Sequence, residues 1–171
     1  QAPDFSLKNI DGTTLSRDML MGKNGLLVMF ICNHCPYVKS ILPRLVADVV
    51  ELKVLGINAV AVMSNDPTDY PEDSFENMQL IADEMDFPFP YLIDPTQAVA
   101  KNYDAVCTPD FFGYNKNLQL QYRGRIYEIN NRVRVKDSKN ELLESMINVA
   151  KTNKGPEIQS PSMGCSIKWF K

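Results

Sequence analysis

Seven apolar residues follow one another without a break from Leu26 to Cys32, and the pattern changes period immediately after them. No turn residue interrupts the run, and it is too short to span a bilayer. It reads as a strand buried on both faces in a mostly parallel sheet. Next, Val38, Ile41, Leu42, Leu45, Val46, Val49, Val50 and Leu52 recur at spacings of three and four. That spacing predicts a helix starting at the cysteines of Cys32-Asn33-His34-Cys35. Pro36 falls in its first turn, where proline costs least, Pro43 is expected to kink it, and Gly56 to stop it. Asn58 to Ser64 reads as a second buried strand. Ser74 is a good cap for a helix through Glu84 with Phe75, Met78, Ile81 and Ala82 inward. Phe89 to Ile93 reads as a third strand, and Asp94-Pro95-Thr96 opens a short helix through Tyr103.

The flanks are less regular. Residues 1–25 form a polar opening with a turn at Asp11-Gly12, an edge strand at Thr13 to Leu15 and a brief helix capped by Ser16. Asp110 to Tyr114 and Leu118 to Arg123 flank Asn115-Lys116-Asn117 and predict a β-hairpin. Residues 125–136 alternate basic and apolar positions, as either a strand or a long loop; a solvated strand face is favoured over an anionic-partner site for Arg123, Arg125, Arg132, Arg134 and Lys136. Ser138 is expected to cap a last helix carrying Leu142, Leu143, Met146, Ile147 and Ala150. From Gly155 on the chain is irregular, yet it ends with Cys165, Ile167, Trp169 and Phe170, which predicts a tail that docks on the body. Strands alternating with helices, then a hairpin and a closing helix, give an α/β sandwich. The expected organisation is one domain over 1–154 and a docked tail over 155–171.

Composition narrows the function. The chain has 171 residues, 44% of them apolar, and a net charge of −3, which argues against general nucleic-acid binding. No stretch reaches the roughly 18 apolar residues of a membrane span. No signal-peptide pattern opens the chain, and the expected location is the cytoplasm. Four cysteines are too few for a disulfide scaffold, so one Cys-x-x-Cys beside a βαβ pattern reads as redox chemistry.

Placement at a strand-to-helix junction has chemical consequences. The first N–H groups of a helix lack intrahelical partners and carry partial positive charge. A thiolate at Cys32 accepting from them is expected well below the ordinary value of about 8.5. Cys35 lies one turn on, within reach of a disulfide. A protonated His34 would add positive charge beside the sulfur and make the pair more oxidising. Zinc needs about four ligands, whereas Cys107 and Cys165 are isolated and the only histidine already lies between the pair; a copper site would need a histidine from elsewhere. No metal or other cofactor is expected.

Four motifs in order carry a resemblance over nearly the whole chain: Phe30-Ile31-Cys32-Asn33-His34-Cys35-Pro36-Tyr37, Cys107-Thr108-Pro109-Asp110-Phe111-Phe112, Tyr122-Arg123-Gly124-Arg125-Ile126 and Gly164-Cys165-Ser166-Ile167-Lys168-Trp169. With Ala2-Pro3-Asp4-Phe5-Ser6-Leu7 ahead of Asp11-Gly12, the chain resembles the thioredoxin superfamily and its redoxin, AhpC/TSA-type branch. The resemblance implies a thioredoxin-like sandwich: a central mixed sheet flanked by helices, with an N-terminal extension and a C-terminal tail. It implies thiol–disulfide oxidoreductase activity, with Cys32 the more exposed, attacking thiolate and Cys35 the resolving thiol. It also implies a cis Pro109, with the Thr108 backbone pairing to an extended substrate. The expected partners are a protein or small-molecule thiol or disulfide and a reductase or oxidase that recycles the pair.

Other readings stand beside these. Cys107 is either a third redox thiol or a small buried apolar residue, the latter slightly favoured. Cys165 is either a tail anchor or a partner thiol. Asp110 is either a proton relay to Cys35 or a solvated loop residue, and the aspartates of 66–73 are expected only to cap and turn the chain. A thiol peroxidase of peroxiredoxin type is the rival enzyme, but Gly25 and Met29 stand where that pattern places Pro and Thr. A non-catalytic redoxin-fold binding module is the third reading.

Overall fold

The computed structural model describes all 171 residues. In chain order they form β1 (Ser6–Asn9), β2 (Thr14–Ser16), α1 (Arg17–Leu20), β3 (Gly25–Phe30), α2 (Pro36–Val54), β4 (Ile57–Met63), a 3-10 turn (Pro71–Asp73), α3 (Phe75–Glu84), β5 (Tyr91–Ile93), α4 (Ala98–Asn102), β6 (Cys107–Thr108), β7 (Asp110–Asn115), β8 (Leu120–Gly124), β9 (Ile129–Asn130), β10 (Val133–Arg134), α5 (Glu141–Thr152) and β11 (Cys165–Ser166). No helix is long and apolar enough to cross a membrane.

Seven strands make one mixed sheet in the order β2-β1-β5-β4-β3-β7-β8. β3, β4 and β5 run parallel, while β7 and β8 on one side and β1 and β2 on the other run antiparallel to their neighbours. β3 is central and wholly buried. Because side chains alternate faces along a strand, Leu27 and Met29 join the core beneath α2, α3 and α5, while Leu26, Val28 and Phe30 join a smaller core beneath α4. The sheet is thereby covered on both faces, the α/β sandwich of the thioredoxin-like fold.

Several boundaries differ from expectation for local reasons. α2 starts at Pro36, not at the cysteines, and Cys35 caps it with extended backbone. A residue before proline disfavours helical angles, which fixes the start there. Helical geometry runs through Pro43, which is exposed, so water can serve the carbonyl left without its donor. Gly56 follows the end of α2 at φ +83°. α4 is shorter than expected because Gln97 turns left-handed, φ 65°, and the buried Asp94 carboxylate caps from a distance, accepting from the Val99 and Ala100 N–H groups at 3.3 and 3.0 Å. Ser138 does not cap α5. Its hydroxyl accepts from the Arg134 guanidinium at 3.1 Å, and the helix begins after Asn140. Residues 125–136 hold the small β9–β10 ribbon. Arg134 lies over the Tyr127 ring at 4.4 Å and Arg125 pairs with Glu141 at 3.0 Å, so this stretch packs on the body as more than a solvated face.

Candidate active site

β3 and β7 pair antiparallel with Phe30 opposite Asp110. This register sets the Cys32 loop against the loop before β7, whose Thr108–Pro109 peptide is cis. Thr108 then contacts both sulfurs: its hydroxyl lies 3.4 Å from Cys32 Sγ, and its carbonyl accepts from Cys35 Sγ at 3.4 Å. All four cysteines are free thiols. Cys32, Cys35, Thr108 and Pro109 are brought together.

Neither sulfur is open to solvent. Cys32 is 1% exposed and Cys35 0%, against the expectation of an exposed Cys32. The charge also sits differently. With α2 starting at Pro36, the helix N-terminus serves Cys35, not Cys32. The Cys35 thiol is held down to about 4 chiefly by a hydrogen bond from Cys32, with burial opposing, and then by donors from Cys165 and the Val38 N–H. The Thr108 carbonyl alone among its contacts favours protonated Cys35, and the donors outnumber it. Cys32 is pushed up by the same shared bond, then by burial and the Asp73 charge, while the Thr108 hydroxyl opposes. The two thiols of the reduced pair are thus pulled apart, Cys35 held down and Cys32 pushed up.

The Asn33-His34 bridge is clasped from below. Asp73, fully buried at the end of the 3-10 turn, accepts from the Asn33 and His34 N–H groups at 2.8 and 3.2 Å. Its second oxygen faces His34 Nδ1 at 2.5 Å and Asn65 Nδ2 at 3.1 Å. The His34 ring stacks on Tyr70, centroids 4.4 Å apart. Asn33 donates to the Glu72 carbonyl at 3.0 Å and accepts from the buried Tyr91 hydroxyl at 2.8 Å. Cys32, His34 and Asp73 offer ligand atoms within 4.8 Å of one another, the one grouping of metal-donor type. The carboxylate already takes four hydrogen bonds, one from Nδ1, which suits a positioning network better than a metal cage. From the sequence alone Asp73 reads as a turn residue. A single carboxylate 39 residues from its imidazole partner has no local signature.

The tail closes the site. β11 pairs antiparallel with β6, Cys165 opposite Thr108 and Ser166 opposite Cys107. Gly164 is pressed so close that an added Cβ would stand 2.0 Å from the Thr108 carbonyl oxygen. The half-buried Cys165 packs against the core cluster that holds Cys32 and Cys35. Downstream, Ile167 is buried in the α4-side core, and the Lys168 carbonyl accepts from Asp66 N–H at 2.7 Å and Gln97 Nε2 at 2.9 Å. Asn65 joins the two halves: its amide donates to Asp73 while its oxygen accepts from Lys168 N–H at 3.1 Å.

Cys107 and Asp110 look elsewhere. The Cys107 thiol donates to the Pro109 carbonyl at 3.5 Å and is pushed up to about 12, first by burial and then by the Asp110 charge. Asp110 is buried, accepting from Val106 N–H at 3.2 Å and Ser162 Oγ at 2.9 Å, with Arg123 at 3.9 Å. It is neither a solvated loop residue nor a contact of Cys35.

Comparison with known proteins agrees with the fold. The model of the AhpC/TSA family matches residues 1–129. A crystal structure of an uncharacterized conserved protein from Geobacillus kaustophilus superposes with TM-score 0.94 and 41% identity, over 99% of this chain and 90% of that one. A hypothetical protein from Sinorhizobium meliloti 1021 gives 0.93 and 34%, over 99% and 93%. A secreted Mycobacterium tuberculosis disulfide oxidoreductase shares the fold at 0.62 and 15% identity, over 84% and 93%. A search of curated proteins gives no match.

Proposed function

The chain belongs to the AhpC/TSA family within the thioredoxin-like fold, and from that premise we propose that it is a thiol–disulfide oxidoreductase whose working pair is Cys32 and Cys35. The observation that carries the reading is Thr108, which places a hydroxyl on one sulfur and a carbonyl on the other beside a cis peptide bond. Two sulfurs touching one residue form a compact two-electron unit.

The chemistry follows from the opposed shifts of the two thiols. Cys32 attacks one sulfur of a client disulfide while its proton passes to Cys35. The client's first sulfur leaves as thiolate. Cys35 then attacks Cys32, its proton going to the departing thiolate, and the second client sulfur is expelled. The protein gains a Cys32–Cys35 disulfide and the client gains two electrons; run backwards, the same steps oxidise a dithiol client. Asp73 and Asn33 hold the loop still while the sulfurs move. The Thr108 edge, where an extended client strand would pair, is held by β11.

Trapping tests the reading. A Cys35→Ser protein is expected to retain a mixed disulfide on Cys32, and the unsubstituted chain to form a reversible Cys32–Cys35 bond in a redox titration mapped by mass spectrometry. Trapping on Cys35 in a Cys32→Ser protein, with none on Cys32 in the Cys35→Ser protein, would reverse the roles. A pair that never cycles overturns the proposal in favour of a binding module, and rapid peroxide consumption dependent on Cys32 would favour the peroxidase.

A further inference from the structure

The dithiol is sealed, yet a third cysteine packs against the core cluster that holds it. Cys32 is 1% exposed and Cys35 0%, whereas Cys165 is half-buried and reaches solvent. Cys165 arrives on an antiparallel strand opposite Thr108, the residue that holds both sulfurs. Its position is that of a client cysteine brought in by strand addition. The seat is built: Gly164 allows a backbone approach that no side chain would, Ile167 anchors the strand in the core, and Asn65 and Gln97 hold Lys168.

We propose that Cys165 is the third thiol of the exchange reaction and carries the disulfide between the buried pair and an external thiol. The inference rests on the reading of Cys32 and Cys35 as the working pair.

The steps balance. In the oxidised protein the Cys165 thiol attacks Cys35 Sγ. A Cys35–Cys165 bond forms and the Cys32–Cys35 bond breaks; Cys32 leaves with the electron pair and takes the proton released by Cys165. No oxidant or reductant is consumed. An external thiol then attacks the Cys165 sulfur, Cys35 departs as thiolate, and a second external thiol restores Cys165 while forming the external disulfide. The sum is one protein disulfide and two thiols giving a dithiol and one external disulfide.

The resting state restrains this thiol and the oxidised state releases it. In the reduced protein Cys165 is pushed up to about 11, first by burial and then by its hydrogen bond to Cys35 and the Cys35 charge. Once Cys35 is in a disulfide it holds no charge, and those two contributions lapse. Lys168 and Arg132, which favour the Cys165 thiolate, remain. Cys165 thus becomes the better nucleophile when there is a disulfide to attack.

The test uses the full chain, oxidised with a dipyridyl disulfide, quenched by alkylation and mapped after digestion. In Cys32→Ser protein the expected product is a quantitative Cys35–Cys165 disulfide. In Cys165→Ser protein, reduction of the Cys32–Cys35 bond by glutathione is expected to slow at least tenfold relative to the unsubstituted chain. Serine is close to isosteric and β11 pairs through its backbone, so tail docking, checked by limited proteolysis, should persist. Free Cys165 in oxidised Cys32→Ser protein, or equal reduction rates in the second comparison, overturns the inference and leaves the Cys32–Cys35 reading intact. A Cys32–Cys35 bond that never forms in the unsubstituted chain overturns both.

Discussion

His34 and Asp73, 39 residues apart in sequence, meet at 2.5 Å with the carboxylate wholly buried. The contact fixes Nδ1 as the ring atom facing the protein and ties the dithiol loop to the 3-10 turn. Through Asn65 the same carboxylate is one side chain from the tail.

Asp73→Asn should therefore act on stability and on sulfur chemistry together. An amide replaces an oxygen that accepts hydrogen bonds, leaving buried donors opposed, at a cost of about 2–4 kcal/mol. The lost negative charge should lower the Cys32 thiol from its raised position. Denaturant unfolding gives the first effect and the pH dependence of alkylation the second.

Reduced protein should carry one buried thiolate at neutral pH. The Cys35 value, about 4, lies below the ordinary cysteine value of about 8.5, so between the two the unfolded chain binds one more proton than the folded chain. Stability should thus rise with pH across that window and be lost as pH falls through about 4. Cys32 is shifted the opposite way, so above the ordinary cysteine range stability should fall as pH rises. Ultraviolet thiolate absorbance and melting temperature against pH check both signs, and Cys35→Ser should abolish the acid limb.

Gly164→Ala should lift the tail. The added Cβ would meet a backbone carbonyl at 2.0 Å, a clash no rotamer change relieves. The expected cost is about 1–3 kcal/mol. Alkylation of Cys32 and Cys35 in native protein should accelerate, by tenfold or more on a rough estimate of 1.4 kcal/mol per decade. Unchanged protection would mean that something other than β11 seals the pair.

Thr108→Val keeps the carbonyl on Cys35 and removes the hydroxyl on Cys32. That hydroxyl favours the Cys32 thiolate, so its loss should raise Cys32 further. Exchange with a model disulfide should slow by roughly 2–10-fold, the kinetic equivalent of one neutral hydrogen bond. Stopped-flow exchange rates at fixed pH read this directly.

How much was legible depended on whether the signal was local. β3 and α2 declare themselves because their apolar periods are long and unbroken, and the junction between them located the cysteines. β1 was missed: Ser6-Leu7-Lys8-Asn9 has one large apolar residue and is a strand only because β2 and β5 pair with it. Thr108 and Pro109 were legible by resemblance, whereas Asp73, Asn65 and Tyr70 were not, since each acts through partners distant in sequence. The tail was expected to dock. That it docks as a strand on Thr108 depends on Gly164, whose role exists only against a backbone remote from it. The attribution of the helix N-terminus to Cys32 failed because Pro36 moves the helix start to the next cysteine's side.

The pairing of Phe30 with Asp110 has a consequence for how this scaffold tolerates change. The distance between the two loops that meet at the sulfurs is set by a ladder with graduations of about 3.3 Å per residue, independent of loop length. Insertions at the exposed hairpin tip near Lys116 should leave the reaction geometry intact. Deleting one residue from β3 would turn its side chains to the opposite layers and carry the two loops out of step.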